Sequence, residues 1–253
     1  MNHGRVPTSE PINWANLLVT ALQELPSHFE RNELAYLSLT AKVESPVRDG
    51  LAWYLHRTLV EERGLPLYVA RQGMESGRNQ YDLAVYEHSE PTGIHPKLTR
   101  SGRRDPSPKF QVEFRFGYGL EFAGPTVSAR RVEGFDLGVQ KLQGKYFDTE
   151  MSDPTTLSVF VVVVVHPLAE VPQHLKKVLR YSQRLTSGAQ YRGGVHEVRR
   201  IANQNLPEFL NERYGGHVEV VHLERIGEVL GIPVGHDYFL VVGPTKAPPF
   251  RIH

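Results

Sequence analysis

FQVEFRFGY, residues 110–118, alternates apolar and polar side chains with a period of two. Phe110, Val112, Phe114 and Phe116 fall on one side of an extended chain, and Gln111, Glu113 and Arg115 on the other. The pattern predicts a β-strand built for burial that keeps an acid in its middle. QYDLAVYE (80–87) poses the same question. It reads as a second strand, with Tyr81, Leu83 and Val85 on one side and Asp82, Ala84 and Tyr86 on the other. If the two strands pair, their polar sides coincide, and Asp82, Glu113 and Arg115 converge on one surface.

Working outward from these strands, PLYVAR (66–71) reads as a strand before them. ESPVRDGLAWYLHRTLVEERG (44–64) reads as a helix, with Ser45 as N-cap, Pro46 in the first turn and Gly64 at its end. Apolar residues at helical spacing predict further helices over 12–24 and 29–39. On the other side, GFDLGVQKLQGKYFDTEM (134–151) is helix-like but weakened by glycines. TLSVFVVVVV (156–165) is apolar and β-branched almost throughout, as a strand covered on both faces is. Helices are expected over 173–186 and 195–213, and edge strands over 217–224 and 237–242. The order predicts an α/β fold, a mixed central sheet with helices packed against it. It is read as one domain over 1–253, with an N-terminal helical extension (1–39), a core (40–165) and a C-terminal helical and β extension (166–253).

Glu44 opens the helix before the strands and is expected to join the two strand acids. Converging carboxylates need a counter-charge or a proton. A divalent cation with oxygen ligands is the natural occupant, since Mg²⁺ takes one or two carboxylates together with water and phosphate. Such an ion lowers the pKa of bound water and neutralises a phosphodiester. A cationic side chain two positions after the second acid points the same way along the strand and would steady the attacking water or the phosphorus. The spacing therefore suits phosphodiester hydrolysis.

Glu44 before a helix, Asp82 in one strand, Glu113-Phe114-Arg115 in the next, then a helix and an apolar strand, together resemble the PD-(D/E)XK, or restriction-endonuclease-like, superfamily. The resemblance implies an αβββαβ core over about residues 40–165. It implies Glu44, Asp82 and Glu113 as ligands of Mg²⁺ or Mn²⁺, with Arg115 at the place of the catalytic lysine, and a nuclease acting on DNA. Tyr81 stands where the family name has proline. Arginine stays protonated and cannot act as a base, although it can stabilise phosphate charge. Three readings follow: an active enzyme that uses Arg115, one whose lysine comes from the next helix (Lys141 or Lys145), or a domain that has lost cleavage. In the last case the fold serves as a nucleic-acid-binding or assembly module with protein partners in a larger complex.

The run KLTRSGRRDPSPK (97–109) carries Lys97, Arg100, Arg103, Arg104 and Lys109 against one acid. It reads either as a solvated loop or as an arm that neutralises phosphates. Arg48, Lys141 and Lys145 are further candidates for phosphate contact. Arg192, Arg199 and Arg200 form a second candidate basic surface. Elsewhere the formal net charge of +1 over 253 residues argues for neither a histone-like basic protein nor an acidic tail. With no cysteine there is no disulfide, thiolate metal site or cysteine nucleophile, which fits a reducing, cytoplasmic setting. MNHGRVPTSEP (1–11) lacks the apolar core of a secretion signal. The most apolar run, Leu157 to Val165, is far shorter than the roughly 20 residues a spanning helix needs, so no membrane partner is expected. The 12 histidines include no H-E-x-x-H, and neither G-x-S-x-G nor a Walker A motif occurs. GYGLEF (117–122) ends in Phe122 where a dinucleotide fingerprint needs a small residue.

Overall fold

The computed structural model describes residues 11–41, 43–71, 81–87, 108–143, 156–172, 174–175, 179 and 191–246. In chain order the elements are α1 (Trp14–Glu24), α2 (Glu33–Thr40), α3 (Glu44–Leu55), β1 (Leu67–Arg71), β2 (Leu83–Glu87), β3 (Phe110–Tyr118), α4 (Ala129–Leu142), β4 (Leu157–Pro167), α5 (Gly194–Tyr214), β5 (His217–Val229) and β6 (Ile232–Val242). A π-helical segment, His56–Glu62, continues α3. The fold is α/β. Its six strands form one mixed sheet in the order β1-β2-β3-β4-β6-β5. The β3–β4 pair is parallel and every other pair antiparallel.

Strand periodicity divides the core in two. Val159, Val161, Val163 and Val165 of β4 join Leu83, Val85, Phe110, Val112 and Phe114 in one apolar cluster, under α1, α2 and α3. Phe160, Val162 and Val164 point the other way and meet Phe135 and Val139 of α4 and Leu206 and Leu210 of α5. β4 is therefore covered on both faces, which explains its unbroken β-branched run. The N-terminal helices belong to the first cluster and complete that layer; α2 lies against β5 at the far edge. Among the described residues no helix is long and apolar enough to cross a membrane.

Several boundaries differ from expectation. α4 begins at Ala129, five residues before Gly134, with Ser128 in extended geometry as its N-cap. β6 is not an edge strand; it lies between β4 and β5 as half of a hairpin turning at Leu230–Gly231. Tyr81 does not share a face with Leu83 and Val85. The β2 ladder starts only at Leu83, and Tyr81 packs in the second cluster with Ala84. Most of the helix expected over 173–186 lies outside the described residues.

A buried polar chain ties α2 to the sheet. Ser38 Oγ donates to the Leu34 carbonyl at 2.6 Å and stands 2.7 Å from His236 Nε2. His236 Nδ1 stands 2.9 Å from the Tyr238 hydroxyl. Since the Ser38 proton is committed to Leu34, Nε2–H must donate to Ser38 and Tyr238 must donate to Nδ1. Every atom of the chain is then satisfied with a neutral ring. Burial, with the nearby His166 ring acting the same way, pushes the His236 pKa down to about 3. The unfolded ring titrates near 6.5. Between those values the unfolded state binds the extra proton, so this contribution to stability is whole above about pH 6.5 and is lost as pH falls. Calorimetry from about pH 7 to about pH 4 is expected to show a steeper fall in Tm for the native protein than for His236→Gln.

Candidate active site

The site arises where β3 outruns β2. Only Phe110, Gln111 and Val112 pair with β2, whereas β4 accompanies β3 from Phe110 to Tyr118. From Glu113 onward the β2-facing edge of β3 has no strand beside it, and its backbone groups need other partners. Asp82, just before β2, accepts the Phe114 N–H at Oδ2, 2.8 Å. Arg115 Nη1 donates to the Phe114 carbonyl at 2.6 Å. Arg131 of α4 donates to the Phe116 carbonyl at 2.7 Å, and Glu121 Oε2 accepts the Tyr118 N–H at 2.9 Å. Arg131 also forks onto Glu121, which locks the far end of this edge.

Glu113 lies at the near end of the edge and is fully buried. Its Oε1 accepts from Arg115 Nη1 at 2.6 Å and from Lys141 Nζ at 2.9 Å. Among the described residues its Oε2, also buried, has no hydrogen-bond partner. Arg115 Nη1 is also 3.9 Å from Asp82 Oδ2. Asp82, Arg115 and Lys141 are each a fifth to a third exposed, so the buried carboxylate lies beneath polar side chains that reach the surface. Burial pushes the Glu113 pKa up; the Arg115 charge works against that, the Asp82 charge with it, and Lys141 against it. The net direction is upward, so ionised Glu113 is under-compensated.

A glycine lets helix α4 reach this carboxylate. A Cβ on Gly138 would stand 2.8 Å from Phe160 Cε2, 3.2 Å from Glu113 Cγ and 3.3 Å from Arg115 Nη2. Gly138 is thus the notch over which the two strand side chains pass. Arg115 Nε donates to the Gly134 carbonyl of the same helix at 2.8 Å. Gly138, which weakens this helix in isolation, is what seats it on the site.

The structure brings Asp82, Glu113 and Arg115 together, with Asp82 reaching the site from the bend before β2 and not by strand alternation, and adds Lys141. Glu44 is half-buried in the first turn of α3, whose inner residues Val47 and Leu51 pack in the cluster on the opposite face of the sheet. Among the described residues no group of three or more histidine or acidic side chains is placed to hold a metal ion. Arg48 bonds Asp49 at 3.0 Å, and Lys109 pairs with Glu87 at 3.0 Å. Lys97, Arg100, Arg103, Arg104 and Lys145 lie outside the described residues. Arg199 is not part of a basic surface: it is 11% exposed and turns inward to a buried acid.

That acid, Asp237 of β6, centres a cluster that sequence reading missed. Arg199 reaches it with Nη2 at 2.6 Å from Oδ1 and Nε at 3.0 Å from Oδ2. His222 Nδ1 is 2.9 Å from Oδ1. His166 Nε2 is 2.9 Å from Oδ2, in contact but off the line of a well-formed hydrogen bond. Burial opposes ionisation of Asp237, but His166 and Arg199 outweigh it and hold the carboxyl well below the usual range. The cluster ties α5 to β4, β5 and β6. The available signal was HDYFLVV (236–242), a third apolar strand interrupted by polar residues.

The chain matches no protein-family model, no curated protein and no solved structure.

The two buried acids predict opposite responses. Neutralising Glu113 removes an under-compensated charge, so Glu113→Gln is expected to raise the Tm of the metal-free protein at neutral pH, read by calorimetry. Removing the partner of Asp237 strands a buried charge. Urea unfolding is expected to show Arg199→Leu destabilised by about 3–5 kcal/mol, against a change within about 0.5 kcal/mol for the exposed Arg200→Ala.

Proposed function

We propose that this chain is a metal-dependent nuclease that hydrolyses DNA phosphodiester bonds, with its centre at Asp82 and Glu113. The observation that carries the reading is the fully buried Glu113, whose Oε2 lacks a hydrogen-bond partner among the described residues, beside a second acid and two cations. A structural acid would satisfy both oxygens. The order α3-β1-β2-β3-α4-β4 supports the reading, because it is the αβββαβ order that the resemblance to PD-(D/E)XK nucleases implies.

The donor set fits a hard divalent cation. Two carboxylates, with water and a substrate phosphate completing the shell, are what Mg²⁺ or Mn²⁺ takes. Asp82 and Glu113 would hold it; Glu44, on the helix packed against the opposite face of the sheet, is not part of that set. When bound, such an ion supplies an activated water and neutralises charge on the phosphate. The chain's own residues do the rest. Phe114 N–H fixes Asp82 Oδ2, so this carboxylate enters the site already oriented. Arg115 and Lys141 place two positive charges beside the carboxylates, where a phosphodiester would gain negative charge in reaction. Burial keeps Glu113 out of bulk water, which strengthens its attraction for a cation.

A second reading, a module that binds nucleic acid or assembles with protein partners without cleaving, is favoured by one observation. Arg115 and Lys141 both bond Glu113 Oε1 and so neutralise the acids from within. Assays on single- and double-stranded DNA and RNA with Mg²⁺ and Mn²⁺ separate the two. The nuclease reading expects metal-dependent DNA cleavage, reduced about 10²-fold or more by Glu113→Gln and by Asp82→Asn, and a Tm raised by Mn²⁺ in the native protein only. DNA bound but never cut, with Tm indifferent to metal, would establish the second reading.

A further inference from the structure

The two cations at the site are bonded in different ways, and the geometry points to a division of labour: Lys141 is the cation that leaves Glu113 to contact the substrate phosphate, while Arg115 is a fixed positioning residue. This inference rests on the nuclease reading and assigns roles within that same site.

Arg115 is held through two of its three guanidinium nitrogens. Its Nε is committed to the Gly134 carbonyl, and its Nη1 to the Phe114 carbonyl and to Glu113 Oε1. Its Nη2 lies under the Gly138 notch, where a single added methyl would press on it at 3.3 Å. Two of those bonds satisfy backbone carbonyls, one on the open edge of β3 and one in the body of α4. Swinging the guanidinium toward a ligand would abandon both. Lys141 carries no such commitment. Among the described residues its Nζ makes one contact, to Glu113 Oε1 at 2.9 Å. It is 30% exposed, stands in the last turn of α4 and has a flexible four-carbon stem. Its ammonium therefore exchanges Glu113 for an incoming phosphate oxygen at the cost of one hydrogen bond. The two partners of Glu113 Oε1 are thus a brace and a gatekeeper. While Lys141 is docked it competes with a metal ion for the carboxylate; once a phosphate draws it away, Glu113 is open to the cation.

The test compares Lys141→Met, Lys141→Arg, Arg115→Lys and the native protein in three measurements: Tm without metal, Mn²⁺ affinity by titration in the absence of nucleic acid, and DNA cleavage with Mn²⁺ well below each Tm. Lys141→Met is expected to lower Tm, because buried Glu113 loses one of its two cations, to bind Mn²⁺ several-fold more tightly because a competing charge is gone, and to cleave about 10²-fold more slowly. Lys141→Arg is expected to recover part of the lost rate. Arg115→Lys, which keeps the charge but not the fork, is expected to lower Tm through the two lost bonds to backbone carbonyls and to lose less rate than Lys141→Met does. A merely structural Lys141 would lower Tm in the same way and leave Mn²⁺ affinity unchanged. The inference is overturned, with the nuclease reading intact, if the native protein cleaves while Lys141→Met keeps its rate and its Mn²⁺ affinity, or if Arg115→Lys abolishes cleavage in the folded protein. If neither the native protein nor Lys141→Met binds Mn²⁺ and neither cleaves, the nuclease reading falls and this inference falls with it.

Discussion

The mismatch in length between β2 and β3 is the constraint on which the rest of the site depends. Three residues of β3 are paired on both sides, and the remainder has a strand on one side only. An open edge inside a packed protein cannot be left bare, because each backbone N–H or carbonyl without a partner costs free energy comparable to a lost hydrogen bond. This chain closes the edge with side chains: Asp82, Arg115, Arg131 and Glu121. Charged groups are thereby recruited to the middle of a sheet for a backbone reason. Two of them, Asp82 and Arg115, end beside Glu113. The chemistry of the site and the termination of the ladder are one arrangement.

That arrangement explains which parts were legible in the sequence. Strand alternation places Glu113 and Arg115 on one surface, because a period of two is a property of the backbone and needs no tertiary knowledge; Asp82 joins them from the bend before β2. The β-branched run of β4 disclosed a strand covered on both faces for the same reason. Tyr81 lies on the other face from the one alternation predicts, because alternation holds only within a strand and the chain bends at Asp82 before β2 begins. Contacts made across the fold were less accessible. Lys141 is one of two lysines on a predicted helix that starts five residues after the observed one, and only the packing of α4 through Gly138 selects it. Arg199 looked like part of an exposed basic run. Its inward turn depends on Asp237, 38 positions away on another element, and no local pattern joins them.

Glu113 and Asp237 form an internal control. Both carboxylates are fully buried on the same face of one sheet, in strands of similar apolar character. Asp237 is contacted at both oxygens by Arg199 and two histidines, and its pKa is driven down. Glu113 has cations at one oxygen only, and its pKa is driven up. Neither side chain is exposed to solvent, and what separates them is their partners. Asp237 is what a carboxylate looks like when the fold alone satisfies it. Glu113 is built to the same depth and then left short of one partner. A group held in this unfinished state costs stability, and such deficits concentrate where a ligand supplies the missing contact. The two cations on Glu113 Oε1 limit that cost while the site waits. One of them is tied into the backbone and the other is not, which makes the guarded state reversible.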